Sequence, residues 1–205
     1  QSTNVTINGI PYNDAESLGT FWVDLPDFSS SIENLQVQRG IGTSVNVSSV
    51  FGVRINILTD KISQNPYFES ANTVGSFKTV KNNFRFSTGL LNETIEFSGR
   101  LSKIDSDGYI DRASSDLKSY FFQLSYKKNK TLLKFLNFGG HEITYQAWNG
   151  IDLQTLENNI TFNPSGLYYD LNGEERFHEN EVDNYKQDHF QFHWTQSISE
   201  NLSSN

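Results

Sequence analysis

The sequence predicts a mainly β fold. A small mixed α/β unit, residues 1–62, precedes antiparallel strands of a transmembrane β-barrel, residues 63–205. Three observations support this fold class: long segments of alternating apolar and polar residues, connections of unequal length between them, and a composition with 14% aromatic residues but only four prolines. Together they indicate many strands and turns and little helix.

The first unit contains short β-type runs separated by turns rich in Gly and Ser. These runs are residues 5–7, 35–38 and 53–58. A short helix is predicted over residues 26–33, with Asp27 as a candidate cap.

The second unit contains the alternating segments. In one of them Ile95, Phe97 and Leu101 share a face, and Glu96 and Arg100 lie on the other. Further strands are predicted over residues 67–74, 77–88, 120–126, 131–138 and 190–194. Several approach about ten residues, which exceeds the usual globular strand and is close to the membrane-spanning length. We therefore predict six antiparallel strands whose apolar side chains face outward.

The connections between these segments alternate in length. Residues 75–76, 90–93, 127–130 and 199–204 form short turns, whereas residues 105–116 and 139–183 form long connections. A meander that crosses a membrane has this asymmetry, with short periplasmic turns and long external loops. The alternative is a soluble β-sandwich binding module of the carbohydrate-binding type, which has no reason to sort its loops by length.

Composition and motifs exclude several classes of protein. The net charge of −8 and the scattered Lys and Arg leave no basic stripe for nucleic acid. No run of about 18 apolar residues forms a transmembrane helix, although barrel strands need none. The absence of Cys removes thiolate sites, and we expect no metal site and no cofactor. No nucleophile motif or phosphate loop occurs, so we predict a protein that is not an enzyme. Gln1 stands where a start Met is expected, so we expect the natural N-terminus upstream.

Two motifs in the first unit carry a family resemblance. V-Q-R-G at residues 37–40, followed by G-V-R-I-N-I-L-T at residues 52–59, resembles the closing motif of the plug domain in TonB-dependent outer-membrane receptors. Upstream, I-N-G-I-P-Y-N-D at residues 7–14 is similar to a second plug motif. The motif positions matched are Val37, Arg39, Gly40, Gly52, Ile55 and Asn56. This chain departs from the family between them, with Ile41 in place of the common Pro and few glycines in the loop.

The resemblance covers essentially the whole chain and implies its organisation. Residues 1–62 would be the C-terminal part of a plug, and residues 63–205 about six strands of a barrel of about 22. Turns at residues 75–77 and 106–109 resemble those of receptors common in Bacteroidetes-type bacteria. We also expect Arg39, at a strand end, to pair with carboxylates of the barrel wall.

The function that the resemblance implies is energised import of a scarce nutrient across the bacterial outer membrane. A ferric siderophore or other metal chelate is the first expectation, with haem, cobalamin or an oligosaccharide left open. The implied partners are outer-membrane lipid, the small-molecule ligand, and the TonB-ExbB-ExbD complex acting through a region upstream of this sequence.

The long connection over residues 139–183 is the predicted place of ligand capture. Aromatic side chains among polar residues can stack on a ligand and remain solvated, and the second half of the connection is acidic. In the alternative soluble module, Tyr145 and Trp148 would stack on sugars. The candidate ligand contacts are Tyr145, Trp148, Tyr168, Tyr169 and His178.

Overall fold

The computed structural model describes residues 2–39, 52–199 and 202–204. The first of its sheets has the order β2-β1-β4-β3, in which β1 is parallel to β4 and β3 is antiparallel to it. Its strands are β1 Ser2–Ile7, β2 Ile10–Pro11, β3 Ile32–Arg39 and β4 Gly52–Thr59. This sheet and the segment between β2 and β3 are called the N-terminal lobe (residues 2–39 and 52–60) below.

The short helix predicted over residues 26–33 is confirmed in part. A 3-10 helix, Phe28–Ser31, lies in this range with Asp27 at its N-cap position, a second 3-10 helix, Trp22–Asp24, precedes it, and β3 begins at Ile32. Asp27 separates the 3-10 helices with a φ of 54°, a left-handed conformation that an α-helix cannot contain. Ile32 is β-branched and joins the sheet instead.

The second sheet, called the large sheet below, is an antiparallel meander of order β13-β12-β9-β8-β7-β6-β5. A hairpin of β10 Leu167–Tyr169 and β11 Glu175–Phe177, with the helix α1 Leu153–Asn158, occupies the connection between β9 and β12. Among the described residues no helix is long and apolar enough to cross a membrane. The strands of the large sheet are β5 Tyr67–Val74, β6 Val80–Ser87, β7 Ile95–Ser106, β8 Ser115–Lys128, β9 Thr131–Tyr145, β12 Val182–Ser199 and β13 Leu202–Ser204.

The six predicted strands are present, with several ends to correct. Strand β6 begins at Val80 rather than at residue 77, β12 begins at Val182 rather than at residue 190, and β13 lies in residues 199–204, which were predicted as a turn. Strand β9 continues to Tyr145, where residues 139–145 were predicted to begin the long connection. Pairing with β8 on one side and β12 on the other extends this strand: Thr144 lies opposite both Ser115 and Asp183. The connection therefore spans residues 146–181 and starts after Tyr145.

The two faces of the large sheet have opposite polarity, as predicted. Glu96 and Arg100 are 0% and 1% exposed, whereas Phe97 on the opposite face is 39% exposed. Polar side chains thus lie under the N-terminal lobe and apolar ones point away from it, the reverse of a soluble sheet packed on its core. The outward apolar residues include Ile95, Leu101, Phe190, Phe192 and Trp194.

A shared apolar core joins the lobe to the polar face. The Phe28 ring lies 5.2 Å from that of Phe138 and 6.4 Å from that of Phe121. Phe121 interrupts the apolar–polar alternation because it is an apolar residue on the inward face, between Tyr120 and Phe122, which face outward. The core residues are Val5, Ile7, Leu25, Phe28, Ile57, Phe121, Leu136 and Phe138.

Gly140 allows the closest approach between the two parts. A Cβ atom at this position would collide with the backbone oxygen of Asp24 and with the ring of Pro26. The chain of the lobe therefore rests directly on the backbone of β9, which only glycine permits.

We predict that Gly140→Ala destabilises the protein by about 1–3 kcal/mol, because the added methyl group must push the lobe off the sheet. Gly150→Ala is the control, since nothing lies within 4 Å of its added Cβ. The measurement is the urea midpoint of unfolding in detergent. Equal midpoints for the two variants would contradict the close packing at Gly140.

Candidate functional site

The seam between the lobe and the large sheet contains a buried ion pair. Asp27 of the lobe accepts hydrogen bonds from Asn83 Nδ2 (2.5 Å) and Ser102 Oγ (2.6 Å), and it forms an ion pair with Lys81. Arg100 Nη1 lies 3.7 Å from the same carboxylate, and both side chains are 1% exposed. One lobe carboxylate thus collects donors from two neighbouring strands.

Arg100 is held from both sides of the seam. Its Nε donates to Ser31 Oγ of the lobe at 2.7 Å, and its Nη1 donates to Ser119 Oγ of β8 at 3.0 Å. A buried guanidinium is tolerated only when it is paired and hydrogen bonded. Asp60 and Arg85, 3.0 Å apart, add a second, more exposed ion pair between the lobe and β6.

Burial alone would raise the pKa of Asp27, but the hydrogen bonds from Lys81, Ser102, Ser30 and Asn83 outweigh it and hold that pKa below its usual value. Asp27 is therefore charged at neutral pH and matches the cations that surround it.

The expected pairing of Arg39 with a wall carboxylate is not found. The Arg39 side chain is exposed, and no carboxylate of the described residues lies within ion-pair distance. The sequence reasoning missed Asp27 and Arg100 as the buried pair between the two parts. The sequence predicted only that the Arg100 side chain faces inward, because Arg100 alternates with Phe97.

The other plug-motif positions lie in or beside the small sheet. Val37 is 54% exposed, Ile55 packs against the shared core, and Asn56 Oδ1 accepts a hydrogen bond from Thr6 Oγ1 at 2.9 Å. Gly52 is the first residue of β4, and Gly40 lies outside the described residues.

The long connection is anchored by Arg112, which sequence reasoning did not single out. The Arg112 guanidinium lies 3.5 Å from the centroid of the Phe177 ring and 5.7 Å from that of Tyr145, and it donates to the carbonyl of Asn163. Asn163 is 1% exposed and donates to the carbonyls of Asp111 (3.1 Å) and Gln146 (2.9 Å). These contacts fix the long connection to the neighbouring one between β7 and β8.

The candidate ligand contacts divide into one buried residue and four accessible ones. Tyr145 is 8% exposed, and its hydroxyl donates to the carbonyl of His178 at 2.7 Å. Trp148 is 80% exposed and Tyr169 is 64% exposed. Tyr168 stacks on the His178 ring at 4.4 Å and 21°. The structure brings Tyr168 and His178 together and leaves Trp148 and Tyr169 open to solvent.

No group of three or more His, Cys, Asp or Glu in the described part of the chain is arranged to hold a metal ion. His178 stacks on the Tyr168 ring, and it belongs to no such group among the described residues.

Solved structures that resemble this chain include siderophore and import receptors. The ferric-catecholate import receptor Fiu from E. coli K12 aligns with 98% of this chain and 30% of its own, with a TM-score of 0.70 and 13% identity. The siderophore receptor PiuA from Acinetobacter baumannii aligns with 97% of this chain and 27% of its own, with a TM-score of 0.68 and 9% identity. The ferripyoverdine receptor of Pseudomonas aeruginosa aligns with 94% and 25%, with a TM-score of 0.65 and 15% identity.

The chain shares the fold of these receptors. It spans 25–30% of the length of the three solved chains. No family model and no curated protein matches its sequence.

We predict that Asp27→Asn, which keeps the shape of the side chain, costs about 3 kcal/mol of stability because Arg100 remains buried without its counter-charge. Asp107→Asn is the control: it breaks the exposed Lys78–Asp107 pair, whose side chains are 85% and 57% exposed, and leaves stability unchanged. Urea unfolding in detergent measures both.

The pH dependence of the unfolding free energy is a second test of the Asp27→Asn variant. Because the folded pKa of Asp27 is lowered, its charge stabilises the fold above the unfolded carboxyl pKa of about 3.9, and this stabilisation is lost as the pH falls through the folded value. The stability difference between the wild type and Asp27→Asn therefore narrows below about pH 4. A constant difference down to acid pH would show that Asp27 does not act through its charge.

Proposed function

We propose that this chain is part of a TonB-dependent outer-membrane receptor that imports a scarce nutrient, with a ferric siderophore or other metal chelate as the cargo. The observation that carries the proposal is the inverted large sheet, apolar outside and polar under the lobe, in a fold shared with siderophore receptors over nearly the whole chain. The bacterial outer membrane is the environment that this polarity fits.

Within this proposal residues 1–62 belong to the plug and residues 63–205 to the first strands of the barrel. The lobe lies against the polar face of the large sheet through Asp27, Arg100 and the Phe28 cluster, as a plug lies inside a barrel. Strand β5 forms the edge of the described sheet, and its free backbone groups would pair with another strand in a closed barrel of about 22.

The proposed transport cycle divides the work between two regions. The accessible aromatic residues of the long connection bind the ligand outside the cell. The TonB-ExbB-ExbD complex, acting through a region outside this sequence, then moves the plug against the wall. Hydrogen bonds such as Asn8–Gln191 (3.2 Å) and Tyr12–Gln187 (2.8 Å) cross the seam, and water can replace them when the plug moves.

The soluble binding module proposed as an alternative does not account for the outward face. Phe68, Phe190 and Phe192 are 70%, 69% and 65% exposed, and no second sheet of the described residues covers them. A face of this kind requires lipid or a partner.

We predict that a Trp148→Ala, Tyr169→Ala double variant of the full-length receptor binds its ligand about tenfold more weakly, because each aromatic face supplies stacking area. Leu153→Ala on α1 is the control, since Leu153 is also exposed (70%) but is not aromatic. Uptake of iron-loaded siderophores and surface expression are measured together. Point variants are preferred to a deletion, which would remove the anchors of Arg112. Equal uptake by all three proteins would remove these aromatics from the mechanism.

A separate prediction concerns sidedness. These 205 residues contain no Cys, so Asn172→Cys, in the turn of the β10–β11 hairpin, adds one thiol whose labelling is compared with that of the unsubstituted receptor. An impermeant maleimide is expected to label it on intact cells. Asn129 lies in the short turn between β8 and β9, at the end of the sheet opposite the long connection. Asn129→Cys is expected to react only after the outer membrane is permeabilised. The reverse pattern would invert the proposed topology.

A further inference from the structure

A cavity of about 590 Å³ lies between the N-terminal lobe and the large sheet, beside the ends of β9 and β12 where the long connection leaves. No Lys or Arg of the described residues lines it, and His189 is the one basic side chain in a lining that is otherwise acidic. Its five lining carboxylates are Asp14, Glu16, Asp24, Glu142 and Asp183.

Glu142 is the member of this group that most needs a partner. Its side chain points to the inner face of β9 and the residue is 1% exposed, yet its Oε2 atom has no hydrogen-bond partner among the described residues. Asp24 of the lobe contacts the same carboxyl group, and Asp183 of β12 is close enough to repel it. A buried carboxylate in this setting is strongly destabilised unless a cation or a proton neutralises it.

The lobe side of the cavity shows the same absence of positive charge. Burial, followed by repulsion from Asp183, raises the pKa of Asp24, and the contact with Glu142 opposes this shift only in part. Burial also raises the pKa of Tyr12 to about 12, so this ring lines the cavity as a neutral phenol.

The residues that line the cavity favour an organic cation over a bare metal ion. A bare metal ion needs several converging ligands, and the described residues contain no such set of three. The cavity instead combines carboxylates with the rings of Tyr12, Phe21 and Tyr185. Carboxylates beside aromatic faces are the surroundings in which ammonium and guanidinium groups bind, through charge-assisted hydrogen bonds and cation–π contact.

We propose that this cavity binds an organic cation, an ammonium or guanidinium group, with Glu142 and Asp24 as its charged partners. The assignment rests on the proposed function in one respect: the cation belongs to the ligand that the receptor imports. The ligand would then carry a cationic arm that reaches past the external loops to the seam.

The test uses the full-length receptor in detergent and two probes of matched shape, 1,5-diaminopentane and the neutral 1,5-pentanediol. Isothermal titration calorimetry is expected to detect the diamine and not the diol. Glu142→Gln is expected to weaken diamine binding about tenfold because it removes the buried charge. Asp183→Asn, at an exposed position, is expected to weaken binding a few-fold. Glu157→Gln on α1, outside the cavity, removes the same charge and is expected to change nothing.

Several results would overturn the proposal. Equal binding of diamine and diol is one, and diamine binding that survives Glu142→Gln unchanged is another. Complete displacement of the diamine by equimolar CaCl2 would make this a metal site instead. If Glu142→Gln fails to fold, Asp183→Asn decides: unchanged binding overturns the proposal and a few-fold loss supports it.

Binding to the purified receptor requires no energy coupling, so this test is independent of transport. Energised uptake without diamine binding would refute only the cation site. Diamine binding without energised uptake would refute only the proposed transport function.

Discussion

The burial of Arg100 is the constraint on which the two parts of this protein depend. A guanidinium 1% exposed on a sheet face requires a counter-charge. The described residues of the large sheet place serines and a phenylalanine near it but no carboxylate in contact with it. The lobe supplies Asp27, held by a left-handed residue conformation between two 3-10 helices. Docking of the lobe therefore completes the sheet electrostatically as well as sterically.

Alternation made the large sheet predictable because its outward face is mostly apolar and its inward face mostly polar, apart from the core residues Phe121, Leu136 and Phe138. The strands and the inward side of Arg100 followed from that pattern alone. The end of β9 did not, because residues 139–145 include two glycines and alternate weakly, and pairing with β8 and β12 decides their conformation. The plug motifs predicted where the small sheet lies in the sequence, and the structure pairs their strands β1 and β4 side by side.

The candidate site was less predictable because its contacts are distant in sequence. Asp27 meets Lys81 and Arg100, and Arg112 meets Phe177, and no local pattern marks such pairs. Tyr145 was expected at the ligand because composition identifies aromatic residues in a polar stretch. Composition does not reveal that its hydroxyl is bound to the carbonyl of His178 within the fold.

Arg112 fixes the conformation of the long connection through residues away from its tip. The side chains that fix the hairpin face inward toward Arg112, whereas those at its turn, such as Leu171, are fully open to solvent. Substitutions at the tip can accumulate without loss of the fold of the connection. A surface built in this way can change its chemistry one side chain at a time while the backbone beneath it keeps its position.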